Sequence, residues 1–128
     1  MPRRVAALDI SGRHARDGRY RMVCAAVDAD VNPKTIESVD GVHFAHRDTA
    51  SDPSFDVVTD LAADAVAGLE EPGVAVAERG EFYDEDAFVV EGSLRHEFKY
   101  VETIGERKAV ETAHHAAYAA RNLLLQHG

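Results

Sequence analysis

The chain has a single cysteine, Cys24. One thiol excludes an internal disulfide framework and a cysteine zinc cluster. Inside the apolar run Met22–Val27 it reads as a buried, inert group. No apolar run reaches the roughly 18 residues of a membrane-spanning helix. The opening "MPRRVAALDI" is basic and then apolar, but the apolar part is short and broken by Asp9. A signal peptide is therefore not expected, and a cytoplasmic protein is. The stretch "SGRHARDG" lacks the Lys-Ser/Thr ending and the following helix of a phosphate-binding loop. No serine or cysteine triad is readable, and no second His/Cys pair has zinc-ligand spacing. Repeats, low-complexity tracts and linkers are missing too. The 128 residues thus read as one domain, 1–128, large enough for a core without staples.

Lysine is scarce beside arginine, while aspartate and alanine abound, and the formal charge is −9. That balance resembles proteins of salt-loving archaea, whose acidic surfaces tolerate self-repulsion because molar salt shrinks the Debye length to about 3 Å. The acidity then reports the solvent rather than the partner. Against it stands a local basic cluster, Arg3, Arg4, Arg13, Arg16, Arg19 and Arg21, opposed there only by Asp9 and Asp17. Arg13, Arg16, Arg19 and Arg21 are candidate phosphate contacts for a nucleic acid. The plainer role for them is to balance the acidic surface. Tyr20 among them reads as a strand aromatic or a base-stacking one.

Residues 4–11 and 19–28 read as two strands around a Gly-containing hairpin loop, the second covered on both faces. A third strand is expected over 35–46, kinked or bulged at Asp40-Gly41. A helix follows, capped by Asp52 with Pro53 at its first position. Phe55, Val58, Leu61, Ala65 and Leu69 keep its period, and Gly68, Pro72 and Gly73 end it. Its Asp56, Asp60 and Asp64 form a stripe of like charge, read as a hydrated outer face rather than a cation site. "GVAVAE" (73–78) is a short strand ending in Glu78. Residues 83–92 fit either a short helix or a strand, 95–103 a strand, and 105–126 an alanine-rich helix. Three antiparallel strands followed by helix–strand units make a mixed α/β sheet flanked by helices.

In such a sheet, ligands collect at the carboxyl ends of parallel neighbours. If the fourth strand lies beside the first, Asp9 and Glu78 approach one another, and the last helix brings Glu111 and His114 on one face. Carboxylates converging this way repel unless a cation lies between them, and oxygen ligands suit Mg²⁺ or Mn²⁺. Two such ions activate a water and stabilise the leaving oxygen of a phosphodiester. Each assignment has a rival: an arginine such as Arg21 or Arg107 as the partner of Asp9, Glu81 in place of Glu78, Lys108 beside Glu111, and His115 instead of His114.

The early strand ending in Asp9, the hairpin and the second apolar strand resemble the start of ribonuclease H-like domains. "AVAERGEFY" (75–83) is similar to the segment that supplies the second acid of RuvC-type Holliday junction resolvases. "VETAHHAAYAARN" (110–122) is similar to their last helix. The chain looks most like a small archaeal member of that superfamily. The resemblance implies a ribonuclease H-like fold and a divalent-metal-dependent nuclease. Metal-binding roles would fall on Asp9, Glu78 and Glu111, with His114 beside them. As the alternative it admits a non-catalytic module of the same fold that binds protein or nucleic acid, including as a homodimer through the last helix.

Overall fold

A computed structural model describes residues 3–127. Five strands, β1 (Arg3–Ser11), β2 (Tyr20–Val31), β3 (Ile36–Thr49), β4 (Val74–Ala77) and β5 (Phe98–Tyr100), form one sheet. Their order is β3-β2-β1-β4-β5. β1, β2 and β3 pair antiparallel, whereas β4 runs parallel to both β1 and β5. Helices α1 (Phe55–Ala67), α2 (Ala87–Leu94) and α3 (Ile104–His127) complete a single α/β domain. The first and fourth strands are neighbours, as the sequence pattern requires for Asp9 and Glu78 to meet.

Strand alternation divides the core. Leu8, Ile10, Met22, Cys24 and Ala26 face α1 and α2, together with Val58, Leu61, Phe82 and Val90. Val5, Ala7, Ala25 and Val27 face α3, together with Ala109, Val110, Ala113 and Ala117. The uncharged run of β2 is therefore covered on both sides, and Cys24 is buried there. Burial raises its thiol well above the ordinary range, with Glu81 and Asp9 adding to the effect.

Several boundaries differ from the sequence pattern. β2 continues to Val31, past the expected turn at Asp28. The bulge does fall at Asp40, where the β2–β3 register shifts opposite Asp28/Ala29. α1 is capped by Ser54, whose hydroxyl accepts from the Val57 N–H at 3.3 Å, rather than by Asp52. Asp56, Asp60 and Asp64 are all exposed, and Asp64 meets Arg47 at 2.7 Å. β5 has three residues instead of nine. The ambiguous 83–92 stretch resolves into a left-handed turn at Tyr83 and Asp84 followed by α2.

α3 begins in a capping box. The Thr103 hydroxyl accepts from the Glu106 N–H at 3.1 Å, and the Glu106 carboxylate accepts from the Thr103 N–H at 3.1 Å. Lys99 on β5 closes the arrangement with a 2.8 Å bond to the buried Glu106. At the other end of α3 the Arg121 side chain donates to the Arg21 carbonyl at 2.7 Å. That approach passes over Gly12, where a Cβ would collide with both groups, and Gly12 also has φ +98°. The long helix is thereby pinned across β1 and β2 at both ends.

Candidate active site at the carboxyl end of β1

The parity that sends Val5 and Ala7 toward α3 sends Asp9 the same way. It meets His114, one residue past the buried Ala113, with Nδ1 3.1 Å from Asp9 Oδ2. The Asp9 side chain is 14% exposed and that of His114 is 59% exposed, so the pair sits at the mouth of the interface. Burial raises the Asp9 carboxyl above its ordinary range. His114 and Arg13 pull it back, and Glu78 pushes it up again.

The β1–β4 pairing stops at Ala7 and Val76, so the outer part of β1 keeps β2 on one side and has no strand on the other. The chain instead turns through a short 3-10 turn, Arg79–Phe82, held by the fully buried Phe82. This turn brings Glu81 back under β1, where its carboxylate accepts from the Ile10 N–H at 2.6 Å. The acid thus replaces the missing strand as acceptor. Arg13 lies 3.8 Å from that carboxylate, donates to the Glu81 carbonyl and stacks over Tyr83 at 4.7 Å. Burial pushes the Glu81 carboxyl up to about 8. Asp9 and Glu78 add to the rise, while Arg13 and the Ile10 N–H oppose it.

Glu78 lies just past β4, half exposed, and Arg107 of α3 holds it at 2.7 Å. The rival arginines for Asp9 are thus committed elsewhere, Arg107 to Glu78 and Arg21 to Asp48 at 3.5 Å. Glu111 is exposed, and its side chain makes no hydrogen bond or ion pair among the described residues. The structure therefore gathers Asp9, Glu78 and His114 and adds Glu81, the residue weighed against Glu78. Glu111 is left facing solvent.

The hairpin arginines divide. Arg13 is turned inward onto Glu81 and is 18% exposed. Arg16, Arg19 and Arg21 line a hollow of about 190 Å³ with Asp17 and Leu125. Asp48 meets Arg19 at 2.8 Å, and the Arg16 guanidinium has no acid partner among the described residues.

Burial first, and mutual repulsion after it, raises the carboxyls of Asp9 and Glu81, so the ionised forms here are short of solvation. Oxygen donors beside one imidazole fit a hard divalent cation. Among the described residues no three His, Cys, Asp or Glu side chains already stand as a cage. Each carboxylate is instead turned onto a cation of the chain itself.

The Glu81 shift has a direct consequence. An unfolded Glu titrates near 4.5 and the folded one near 8. Between those values the folded chain retains a proton that the unfolded chain has released, so stability falls as pH rises from about 4.5 to about 8. Glu81→Gln keeps the acceptor for the Ile10 N–H and removes the ionisation. It is expected to stabilise the chain by on the order of 3 kcal/mol near pH 9 and to change little near pH 5. Urea unfolding at the two pH values checks this, and an equal effect at both would contradict it.

Comparison with known proteins gives relatives of the same length class. A family model described as "Uncharacterized protein conserved in archaea (DUF2209)" matches residues 6–125. An uncharacterized protein of Methanocaldococcus jannaschii is 28% identical over 120 residues, covering 94% of this chain and 95% of the relative. No helix among the described residues is long and apolar enough to cross a membrane.

Proposed function

We propose that this chain, which belongs to the family of uncharacterized proteins conserved in archaea, is a ribonuclease H-like hydrolase of nucleic-acid phosphodiesters working with Mg²⁺ or Mn²⁺. The carrying observation is the pairing of Asp9, on the central strand, with His114 of α3, with the buried Glu81 carboxyl near enough for Asp9 to raise it. The strand order and the parallel β1–β4 pair support the same reading, because the change from antiparallel to parallel neighbours at β1 is where such sheets receive ligands.

Asp9, with Glu81 and Glu78 alongside, would hold the metal. When bound, it supplies a Lewis acid and an activated water for attack on phosphorus. The residues of the chain do the rest. His114, oriented by Asp9, is placed to pass a proton at the site mouth. Arg16, Arg19 and Arg21 offer donors to backbone phosphates one hairpin away. Phe82 and the 3-10 turn fix Glu81 and keep water from its inner side.

A second reading is a catalytically inactive module of the same fold that binds protein or nucleic acid. One observation favours it: His114, Arg107 and Arg13 already answer Asp9, Glu78 and Glu81. Exposed Tyr118 and Leu123 on α3 would suit its homodimer form. The deciding experiment incubates the chain with Mn²⁺ in molar salt and end-labelled four-way junction, RNA–DNA hybrid and single-stranded substrates. Metal-dependent cleavage of any of them supports the enzyme. A retarded complex without cleavage supports the module, and neither cleavage nor binding sinks both nucleic-acid readings.

A further inference from the structure

β3 is an outermost strand of the sheet, and among the described residues no strand pairs with its outer side. It is the longest strand, Ile36–Thr49, and contains neither proline nor lysine. Of the usual guards of a sheet edge it shows only the bulge at Asp40 and side-chain charge toward its two ends. The opposite edge offers little to pair with, because β5 has only three residues.

Val39, Val42 and Phe44 of β3 stand opposite Ala29, Val27 and Ala25 of β2, which face α3. α3 buries those β2 residues but not their β3 neighbours. Val42 and Phe44 are each 42% exposed, and Val39 is 48% exposed. Leu124, near the end of α3, borders a hollow with His46 of β3, so the apolar strip continues onto the helix. A row of backbone donors and acceptors beside an apolar strip is matched by another strand edge of the same kind. Charge decides which strand. The hollow at the Asp40 end of β3 is lined by Asp28, Asp40, Glu70 and Glu71 against Arg4 alone. Those at the Thr49 end are lined by Arg16, Arg19, Arg21 and Arg47 against Asp17 and Asp48. The edge is therefore acidic toward its start and basic toward its end. A second copy running antiparallel lays each acidic end on a basic end. Such complementarity fixes orientation and register more than affinity.

We propose that this chain forms a twofold dimer through β3, the two strands pairing antiparallel about an axis near His43. Val42 then meets Phe44 of the other copy on both sides of the axis. The Asp40 end of each strand falls beside the His46–Arg47 end of the other. An axis normal to the sheet keeps both α3 helices on one face, flanking the apolar strip. The seam from Val39 to Arg47 is about 30 Å long and, with one helix layer, roughly 20 Å deep, on the order of 600 Å² per copy. That is the lower end of specific interfaces, so the dimer is reversible, in the micromolar range. Pairing consumes the long edge of each copy, and the assembly closes at two. The dimer is independent of the phosphodiesterase reading.

The test is sedimentation equilibrium of the full chain in molar KCl over a wide range of concentration. A monomer–dimer equilibrium is expected. Phe44→Lys changes an exposed side chain, so the fold survives, and it should weaken the dimer by about tenfold or more. Tyr118 is exposed and lies four residues past His114, on the β1 side of α3 and away from β3. Tyr118→Lys should leave the dimer unchanged. Hydrogen exchange reads the seam without any variant: alternate amides between Gly41 and Arg47 should slow as the dimer fills. A chain that stays monomeric throughout overturns the proposal and leaves the edge to a different partner or to none. So does a dimer that Phe44→Lys spares, that Tyr118→Lys disrupts, or that leaves the β3 amides unprotected.

Discussion

Asp9→Asn is expected to lower Mn²⁺-dependent phosphodiester cleavage by about a hundredfold or more while leaving the chain folded. The substitution keeps the shape of the side chain and an oxygen that accepts from the His114 ring, so the β1–α3 contact survives. What goes is the charge, and with it the oxygen donor that the proposed metal would use on β1. Stability should not fall at neutral pH. Burial raises the Asp9 carboxyl more than His114 and Arg13 lower it, so removing the ionised form relieves a net desolvation cost at this end of the sheet. Cleavage rates and urea midpoints measured on the same preparation separate the two effects. Undiminished cleavage by the variant would end the metal-hydrolase assignment. A joint collapse of rate and stability would show Asp9 to be a fold element.

Phe82→Ala should be the most damaging single change to the fold, costing about 3–5 kcal/mol. Phe82 is fully buried and meets Phe98 edge-on at 5.5 Å, and Phe98 in turn meets Tyr100 at 5.0 Å. These rings join the 3-10 turn to β5, a strand of only three residues that depends on its side chains more than on its ladder. The cavity would also free the turn that holds Glu81 beneath Ile10. A fall of roughly 10–20 °C in the unfolding midpoint is expected, together with loss of the pH-dependent step assigned to Glu81. Phe82→Leu, which fills most of the space, should cost far less. Equal costs for the two variants would contradict the packing account.

Much of this architecture was legible in the residues. The early apolar strands, the Asp40 bulge and the alanine-rich α3 follow from alternation, Gly placement and helical spacing. The Asp9–His114 meeting follows from strand parity once β1 and α3 are known to pack. The start of α3 was also written in Thr103 and Glu106, a capping-box pair three residues apart. The expected first residue, Gly105, overlooked that signal. Ser54 displaced Asp52 as cap because Pro53 stands before the helix rather than inside it.

Other features left little trace. Glu81 becomes the most perturbed acid of the site through a four-residue 3-10 turn, too short for any periodicity to show. The one hint was the aromatic pair Phe82-Tyr83 set among charged residues. Tyr83, Asp84 and Arg95 adopt left-handed conformations, which such residues seldom take, and so the boundaries of α2 were hidden. Glu111 has the right spacing to His114, but spacing alone does not set how far a helix is rolled on its sheet. Here Ala109, Val110, Ala113 and Ala117 face the sheet, and Glu111 turns outward.

The gathering of Asp9, Glu81 and His114 into one cation-binding place is tested most directly by Mn²⁺ relaxation on isotopically labelled chain, comparing wild type with Asp9→Asn. The account requires early, selective broadening of amides at Leu8–Ser11, Ala77–Phe82 and Ala113–His115, lost in the variant. Broadening that spares all three segments, or that is the same in both proteins, would contradict it.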